Sequence, residues 1–365
     1  MGKALMIAEY GRLRVEPNPV VGAVVLDRRG EWTSWGFHPY WGGPHAEVEA
    51  LRRAGARARG GTLIVTLEPC AHAEKKTPPC VPAVVASGVK RVVVGARDPN
   101  PATTGRAARA LRAAGIEYRS GVLAERCRAS IARYAEHVGR RRPWTIAKWA
   151  TSLDGRIADA DGASRWVSGK RAREIVRLIR SRCDAVIVGR GTVEADDPSL
   201  TTERGGPRAT PPIRVVFDSR LRTPTSARLV ATARETPTLF VAVRGAPAKR
   251  RRALESAGAL VLDVRAGKDR RVDVVAAFRA LHRLGVRRAM LEAGGTLQAA
   301  CLRAGVVDQV TTFVAPVVLG GGGPTPFDGV GWPIADAPRL EHVRISAVGK
   351  DAMIEGYWPR GVGSA

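Results

Sequence analysis

Three short segments share one chemical vocabulary: Pro44-His45-Ala46-Glu47, Glu68-Pro69-Cys70-Ala71-His72 and Thr77-Pro78-Pro79-Cys80. One imidazole and two thiols fill three corners of a tetrahedral zinc site and leave the fourth for water. A fold that honours this pattern must bring His45, Cys70 and Cys80 to one point.

The residue types suit hydrolysis of an amidine-like ring carbon. Zinc held there would lower the pKa of its water toward neutrality, and Glu47 stands two residues from the histidine, placed to move a proton to departing ammonia. Glu47 is therefore read as catalytic and not as a ligand. This is the layout of a zinc deaminase, although nine residues separate Cys70 from Cys80 where the short signature has two. Pro69-Cys70 and Pro79-Cys80 each read as the first turn of a helix, where unpaired N–H groups favour a thiolate. Two cysteines and a histidine can also be ordinary core residues, but His-x-Glu followed by two Pro-Cys pairs is a compound pattern.

At 365 residues the chain has room for two domains, each with its own core. Only nine of its 59 basic residues are lysine, and the arginines are spread along the whole length rather than gathered in a patch. The formal charge of +25 attracts phosphorylated substrates, and it keeps nucleic-acid binding open as an alternative. Five cysteines, two of them claimed by zinc, form no even disulfide set and point to a reduced, cytoplasmic setting. The first residues lack an apolar signal core, and no apolar run reaches membrane-spanning length.

In chain order, residues 3–11 read as a helix ending near Gly11, followed by strands at 23–26 and 35–38 about a turn at Asp27–Gly30. A helix from His45 to Gly55 puts His45 and Glu47 at its mouth. The β-branched run Thr62–Leu67 needs burial on both faces and runs on to Cys70. Helix 79–87 carries Cys80, and 91–95 is the next strand. A helix and short strand over 103–119 and a helix over 126–138 complete an α/β layered domain. Gly139-Arg140-Arg141-Arg142-Pro143 is a polar break before an apolar strand at Trp144, and the boundary is set between residues 142 and 143.

Asn18-Pro19-x-Val21-Gly22, Pro44-His45-Ala46-Glu47, Thr66-Leu67-Glu68-Pro69-Cys70, Thr77-Pro78-Pro79-Cys80 and Asp98-Pro99-Asn100-Pro101 together resemble the deaminase half of the RibD family, the bifunctional deaminase/reductases of riboflavin biosynthesis. The resemblance implies a cytidine-deaminase-like three-layer α/β/α domain acting on a phosphoribosylaminopyrimidine. It also implies that Asn18, His38, His72, Lys76 and Asn100 line the substrate pocket. The stretch between Cys70 and Thr77 is one residue longer than the family's usual His-His-Gly-Lys/Arg.

The second half alternates again. Candidate strands lie at 145–149, 185–188, 214–217, 238–243, 260–264, 288–291 and 309–314, with helices at 168–182, 248–257, 272–284 and 296–304 and Ser168 as N-cap of the first. A mostly parallel sheet follows. Met290-Leu291-Glu292-Ala293-Gly294-Gly295-Thr296 turns from strand to helix through two glycines, a route by which backbone N–H groups reach a phosphate. The Gly320–Gly323 run reads as a loop.

Lys148-x-Ala150-x-Ser152-Leu153-Asp154-Gly155-Arg156, Ser164-x-Trp166, Gly191-Thr192-Val193-x-Ala195-Asp196-Asp197-Pro198 and Glu292-x-Gly294-Gly295 resemble the reductase domain of the same family, which is similar to dihydrofolate reductase. By that resemblance Ala150, Trp166, Thr192, Asp196, Gly294, Gly295 and Thr296 touch NADPH. Lys148, Ser164, Arg180, Leu200, Arg204 and Glu292 hold the substrate, with Arg204 one place from the family's arginine.

The expected protein is thus a cytoplasmic, homo-oligomeric enzyme with Zn2+ and NADPH as cofactors, a phosphorylated pyrimidine as substrate, and neither nucleic-acid nor membrane partners. Residues 1–142 would form the zinc-dependent deaminase and 143–365 the reductase. The alternatives are a single-activity relative with one degenerate site, or a nucleic-acid-editing deaminase. Against the latter stand an aromatic content of 5% and the whole second domain that it would leave unexplained.

Overall fold

The computed structural model describes residues 1–71, 77–202 and 211–361. The chain divides into two compact units, Met1–Arg140 and Arg141–Ala365. The division falls two residues ahead of the expected boundary because Arg142 is tied into the second unit. Its guanidinium forks onto the Asp308 carboxylate at 2.6 and 2.7 Å, and the same carboxylate accepts the Thr145 amide at 2.9 Å.

The first unit runs α1 (Gly2–Ala8), β1 (Gly22–Leu26), β2 (Trp32–Phe37), α2 (Ala46–Ala54), β3 (Thr62–Leu67), α3 (Cys80–Ala86), β4 (Arg91–Ala96), α4 (Arg106–Ala113), β5 (Glu117–Ser120), α5 (Ala124–Ser130) and α6 (Ala132–Val138). Its five strands lie in the order β2-β1-β3-β4-β5. β1 pairs antiparallel with β2 and β3, and β3, β4 and β5 are parallel. Alternation of side chains sorts the layers. Ala23, Val25, Leu63 and Val65 point into a core shared with Ala50 and Leu51 of α2 and Val84 of α3. Val24 and Ile64 pack on Ala4 and Ile7 of α1 at the opposite face. Helices therefore cover both faces, the three-layer arrangement that parallel strands require.

The second unit runs β6 (Trp144–Thr151), α7 (Lys170–Ser181), β7 (Ala185–Gly189), α8 (Arg190–Asp196), β8 (Ile213–Phe217), α9 (Arg228–Ala231), β9 (Thr238–Val243), α10 (Ala248–Ser256), β10 (Leu260–Val264), α11 (Val274–Arg283), β11 (Arg288–Leu291), α12 (Gly295–Arg303), β12 (Gln309–Val314), β13 (Glu341–Val348) and β14 (Asp351–Tyr357). The nine-stranded order is β10-β9-β8-β7-β11-β6-β12-β14-β13. Strands from β10 through β12 are parallel, and β14 and β13 add an antiparallel edge. Ala185 and Ile187 enter one core with Phe278 and Leu281, while Val186 and Val188 enter another with Leu229 and Leu254. That double burial explains the continuous apolar runs of these strands.

Several sequence expectations change. β13 and β14 were not expected. Polar and charged residues recur along them because β13 is an edge strand and much of it is exposed. The helix expected over 126–138 breaks at Ile131 into α5 and α6. Ser168 does not cap α7: the N-cap is Gly169, whose amide donates to Asp351 Oδ2 at 2.7 Å, and Ser168 offers only its carbonyl to Arg173. Pro69-Cys70 starts no helix. Cys70 follows β3 in a segment outside any helix or strand and meets the N-terminus of α3 in space instead.

Gly36 of β2 shows how closely α2 is seated. A Cβ there would lie 2.5 Å from both the Ala46 carbonyl oxygen and the Ala50 amide nitrogen. Gly36→Ala must therefore push back the helix that starts at His45. We expect a loss of ~1–3 kcal/mol from overpacking together with a reduced zinc content, checked by thermal denaturation and metal analysis of the purified variant.

Candidate active sites

His45 is the N-cap of α2, with extended backbone at that position (φ −80°, ψ 159°) and no side-chain capping hydrogen bond. Its Nδ1 lies 3.0 Å from Cys80 Sγ and 3.5 Å from Cys70 Sγ, and the three donor atoms all lie within 4.8 Å of one another. One imidazole nitrogen and two sulfurs so grouped fit a zinc ion with an open fourth position. Nε2 lies 3.0 Å from Thr77 Oγ1; with Nδ1 as a metal ligand, Nε2 would carry the proton and donate to that hydroxyl, which fixes the ring angle. The Cys80 amide reaches the Cys70 carbonyl oxygen at 3.0 Å and its sulfur at 3.2 Å, so an α3 N–H favours the Cys70 thiolate although Cys70 is not itself on that helix.

Glu47, in the first turn of α2, is buried. Burial pushes its carboxyl up, against the pull of His45. His38 sits next to this group, its ring centroid 5.1 Å from that of His45. The Pro44 carbonyl accepts from His38 Nδ1 at 2.8 Å, which leaves Nε2 to accept from Asn18 Nδ2 at 3.0 Å. Asn100 lies in a loop held by Asp98, whose Oδ1 accepts from the Asn100 amide at 2.9 Å and from the Tyr134 hydroxyl at 2.8 Å. His72 and Lys76 lie outside the described residues. Sequence reasoning assigned no role to Thr77 or Tyr134. Thr77 carried a signal, as the first residue of Thr-Pro-Pro-Cys, and Tyr134 carried none.

In the second unit a cleft of ≈ 1670 Å³ is lined by Lys148, Ala150, Ser164, Trp166, Arg180, Thr192, Asp196, Leu200, Glu292, Gly294, Gly295 and Thr296. Arg204 falls outside the described residues. Glu292 follows β11 and is nearly inaccessible to solvent. Lys148 of β6 reaches its Oε2 at 2.7 Å, and Arg180 of α7 grips both carboxylate oxygens, with Nη2–Oε2 at 2.9 Å. Burial alone would raise this carboxyl, but Arg180 and Lys148 outweigh it and hold it at about 2.

Ser164 Oγ donates to Asp196 Oδ1 at 2.6 Å, and Arg165 donates to the Asp196 carbonyl. Trp166 is 68% exposed, with the Arg173 guanidinium 4.5 Å from its ring centroid. Gly189 precedes α8 and Gly294 precedes α12, so two helix N-termini open on the cleft. The Gly294 amide donates to Thr192 Oγ1 at 3.2 Å, linking the two turns. A Cβ on Gly294 would meet only Thr192 Oγ1, at 3.9 Å, so the backbone is open to a bound phosphate. A Cβ on Gly295 would come within 2.6 Å of the Thr325 carbonyl oxygen, so close packing excludes a side chain there. Paired N-termini beside an exposed indole fit a dinucleotide such as NADPH. Asp154 caps the start of the glycine run, accepting from the Leu319 and Gly320 amides.

Residues 143–354 match the RibD C-terminal domain family, and residues 1–96 match the cytidine and deoxycytidylate deaminase zinc-binding region. The chain is 40% identical over 358 residues to the riboflavin biosynthesis protein RibD of Mycobacterium tuberculosis, covering 97% of this chain and 95% of that one. This chain is a member of the RibD family. The Escherichia coli RibD is 36% identical, with 97% of each chain covered. Among solved structures, Acinetobacter baumannii RibD superposes with a TM-score of 0.71 at 33% identity, with 98% of each chain covered. A Thermotoga maritima protein described as a diaminohydroxyphosphoribosylaminopyrimidine deaminase/5-amino-6-(5-phosphoribosylamino)uracil reductase gives 0.69 at 32%, with 98% of this chain and 97% of that one covered. Family membership makes the first unit cytidine-deaminase-like and zinc-binding, and gives the second unit an NADPH-using reductase fold.

Elemental analysis should find one zinc per chain in purified protein, and Cys80→Ser should abolish it, because a neutral hydroxyl is a poor replacement for thiolate. Glu292 supplies a pH test. Its folded pKa is depressed from an ordinary 4.5 to about 2, so its stabilising contribution is present above the unfolded value and lost as pH falls through the folded one. Thermal unfolding should show the second unit weakening between pH ~5 and ~2, and less steeply in Glu292→Gln. At neutral pH that variant should lose ~3–5 kcal/mol, because two buried cations then face no carboxylate.

Proposed function

We propose that the chain carries out two consecutive steps of riboflavin biosynthesis. The first is hydrolytic deamination of 2,5-diamino-6-(5-phosphoribosylamino)pyrimidin-4-one, in residues 1–140. The second is NADPH-dependent reduction of the ribosyl group to ribityl, in the remainder of the chain. The observation that carries this reading is the convergence of His45, Cys70 and Cys80 around a buried Glu47 in a chain whose other unit holds the Lys148-Glu292-Arg180 cluster.

Zinc held by His45, Cys70 and Cys80 would supply a water of lowered pKa. Glu47 takes a proton from the attacking water and passes it to the amino nitrogen leaving the ring. A carboxyl raised by burial suits a group that must hold a proton between those transfers. Thr77 keeps the His45 ring oriented, and the α3 N-terminus steadies the Cys70 sulfur. Asn18, His38 and Asn100 hold the pyrimidine, the first two as a hydrogen-bonded pair fixed by the Pro44 carbonyl. His72 and Lys76 belong to the same pocket by family pattern.

Bound at the second site, NADPH would supply the hydride for reduction at C1′ of the ribosyl group. The helix N-termini at Gly189 and Gly294 would hold its phosphates, and Thr192, Asp196, Trp166, Ala150 and Thr296 line the same cleft. Glu292, held ionised, accepts from sugar hydroxyls, while Lys148, Arg180 and Ser164 position the substrate with Leu200. By family pattern Arg204 is assigned to the substrate's phosphate.

All five cysteines are free, in keeping with a reducing cytoplasm, and among the described residues no helix is long and apolar enough to cross a membrane. Homo-oligomeric assembly is favoured by the edge strand β13, where Val343 and Ile345 are 50% and 69% exposed. The partner is the phosphorylated pyrimidine and not nucleic acid.

Glu47→Gln keeps size and hydrogen bonding but removes the proton carrier. Deamination, followed as ammonia release, should fall by at least ~10²–10⁴-fold with zinc retained, and reduction of supplied deaminated intermediate should continue. Near wild-type deamination in this variant would refute the role of Glu47.

A further inference from the structure

Asp351 opens β14 and is only 4% exposed, yet neither reaction proposed above uses it. The sheet fixes its place. Val348 pairs with Asp351 across a turn at Gly349-Lys350, and the next residue, Ala352, pairs with Val314 of β12. Gly349 takes the left-handed conformation (φ +65°), and a Cβ on it would stand 3.5 Å from Arg171 Cβ, so the turn lies against the first turn of α7. From there the Asp351 carboxylate accepts the Gly169 amide at 2.7 Å, a contact between residues 182 positions apart.

Gly169 ends a segment whose residues 164–168 all line the reductase cleft. From it a short series of contacts leads to the Trp166 indole. The Gly169 carbonyl accepts the Arg173 amide at 3.3 Å in the first turn of α7. Arg173 Nη1 then donates to the Ser168 carbonyl at 2.6 Å, and the same guanidinium lies 4.5 Å from the Trp166 ring centroid. Arg165 approaches that ring at 5.7 Å. With 68% of its surface exposed, the indole has little packing to orient it, and the guanidinium contacts take that part. A Cβ on Gly169 would stand 3.3 Å from Asp351 Oδ2 and 3.6 Å from Oδ1, so glycine lets the carboxylate close on the amide.

The groups that face the substrate have anchors of their own. Ser164 Oγ donates to Asp196 Oδ1 at 2.6 Å. Arg180, at the other end of α7, grips Glu292 and donates to the Thr201 carbonyl at 3.1 Å. Glu292 also meets Lys148 at 2.7 Å. Releasing Gly169 therefore loosens Ser168, Arg173 and Trp166 and leaves the Lys148-Glu292-Arg180 cluster in place.

We propose that Asp351 is a positioning residue for the cofactor side of the reductase: by holding Gly169 it fixes Arg173 and, through it, the Trp166 indole in the orientation that meets NADPH. The inference rests on the reading of Trp166 as a cofactor contact. An indole fixed in advance loses little freedom on binding, and immobilising one side chain at the moment of binding instead lowers affinity ~3- to 10-fold.

The test is calorimetric titration of the full-length protein with NADPH and, separately, with the deaminated intermediate. Asp351→Ala should weaken NADPH ~3- to 10-fold while affinity for the intermediate moves by less than about twofold. Asp351→Asn keeps an oxygen to accept the Gly169 amide and should stay within about twofold of wild type for both ligands. Trp166→Ala should itself weaken NADPH, and adding Asp351→Ala to it should bring no further loss. Gly169→Ala, whose methyl presses on the carboxylate, should lose NADPH affinity in the same way and serves if Asp351→Ala fails to fold. Full NADPH affinity in Asp351→Ala, equal weakening of both ligands, a like loss in Asp351→Asn, or a loss that persists without the Trp166 ring overturns the proposal, while NADPH binding by wild type leaves the reductase reading standing. If Trp166→Ala binds NADPH as wild type does, the proposal falls alone. If wild type binds no NADPH, the reductase reading falls and the proposal with it.

Discussion

Parallel strands buried on both faces leave only their ends free for chemistry, and each unit of this chain builds its site there. β3 runs out into Cys70 and β4 into the Asp98–Asn100 loop. In the second unit β6, β7, β8 and β11 deliver Lys148, Thr192, Ser219 and Glu292 toward one cleft. Helices packed on both sheet faces exclude water from the strands, so polar side chains gather where strand gives way to loop. The rigidity of the sheets then holds donor atoms at fixed separations, as the zinc triad and the Glu292 cluster both require.

The two buried glutamates show how neighbours decide what a carboxyl does. Glu47 lies beside sulfurs and a histidine, and burial pushes its pKa up, toward proton transfer. Glu292 is as inaccessible, yet two cations hold it at about 2 and keep it a permanent acceptor. The same desolvation acts on both. What differs is whether a fixed positive charge stands within hydrogen-bond reach. A buried ion pair is an uncertain source of net stability, so the Glu292 triad is better understood as a device that fixes charge and orientation in the cleft.

Second contacts do much of the positioning. Thr77 fixes the His45 ring angle, the Pro44 carbonyl fixes the His38 tautomer, and Tyr134 steadies Asp98 beneath Asn100. In the reductase unit Thr192 links two glycine turns that come from different strands. None of these partners contributes a donor atom to the zinc triad or belongs to the Lys148-Glu292-Arg180 cluster, yet each removes a rotation that would blur the site.

The sequence by itself singled out the three residues that the fold brings together as a candidate metal site, the α/β class, the place of the strands that are buried on both faces, and the family. It could do so because each rests on local signals: His-x-Glu and Pro-Cys pairs, β-branched runs, and glycine turns after strands. The edge strand β13 and its neighbour β14 escaped it, since exposure along β13 replaces the apolar run with polar and charged residues. Only the tertiary structure decided that Cys70 meets α3 in space without starting a helix, that Arg142 belongs with Asp308, and that Asp351 holds Gly169. Those are contacts between segments distant in the chain. Their partners are chosen by strand order and helix packing, which no local run of residues encodes.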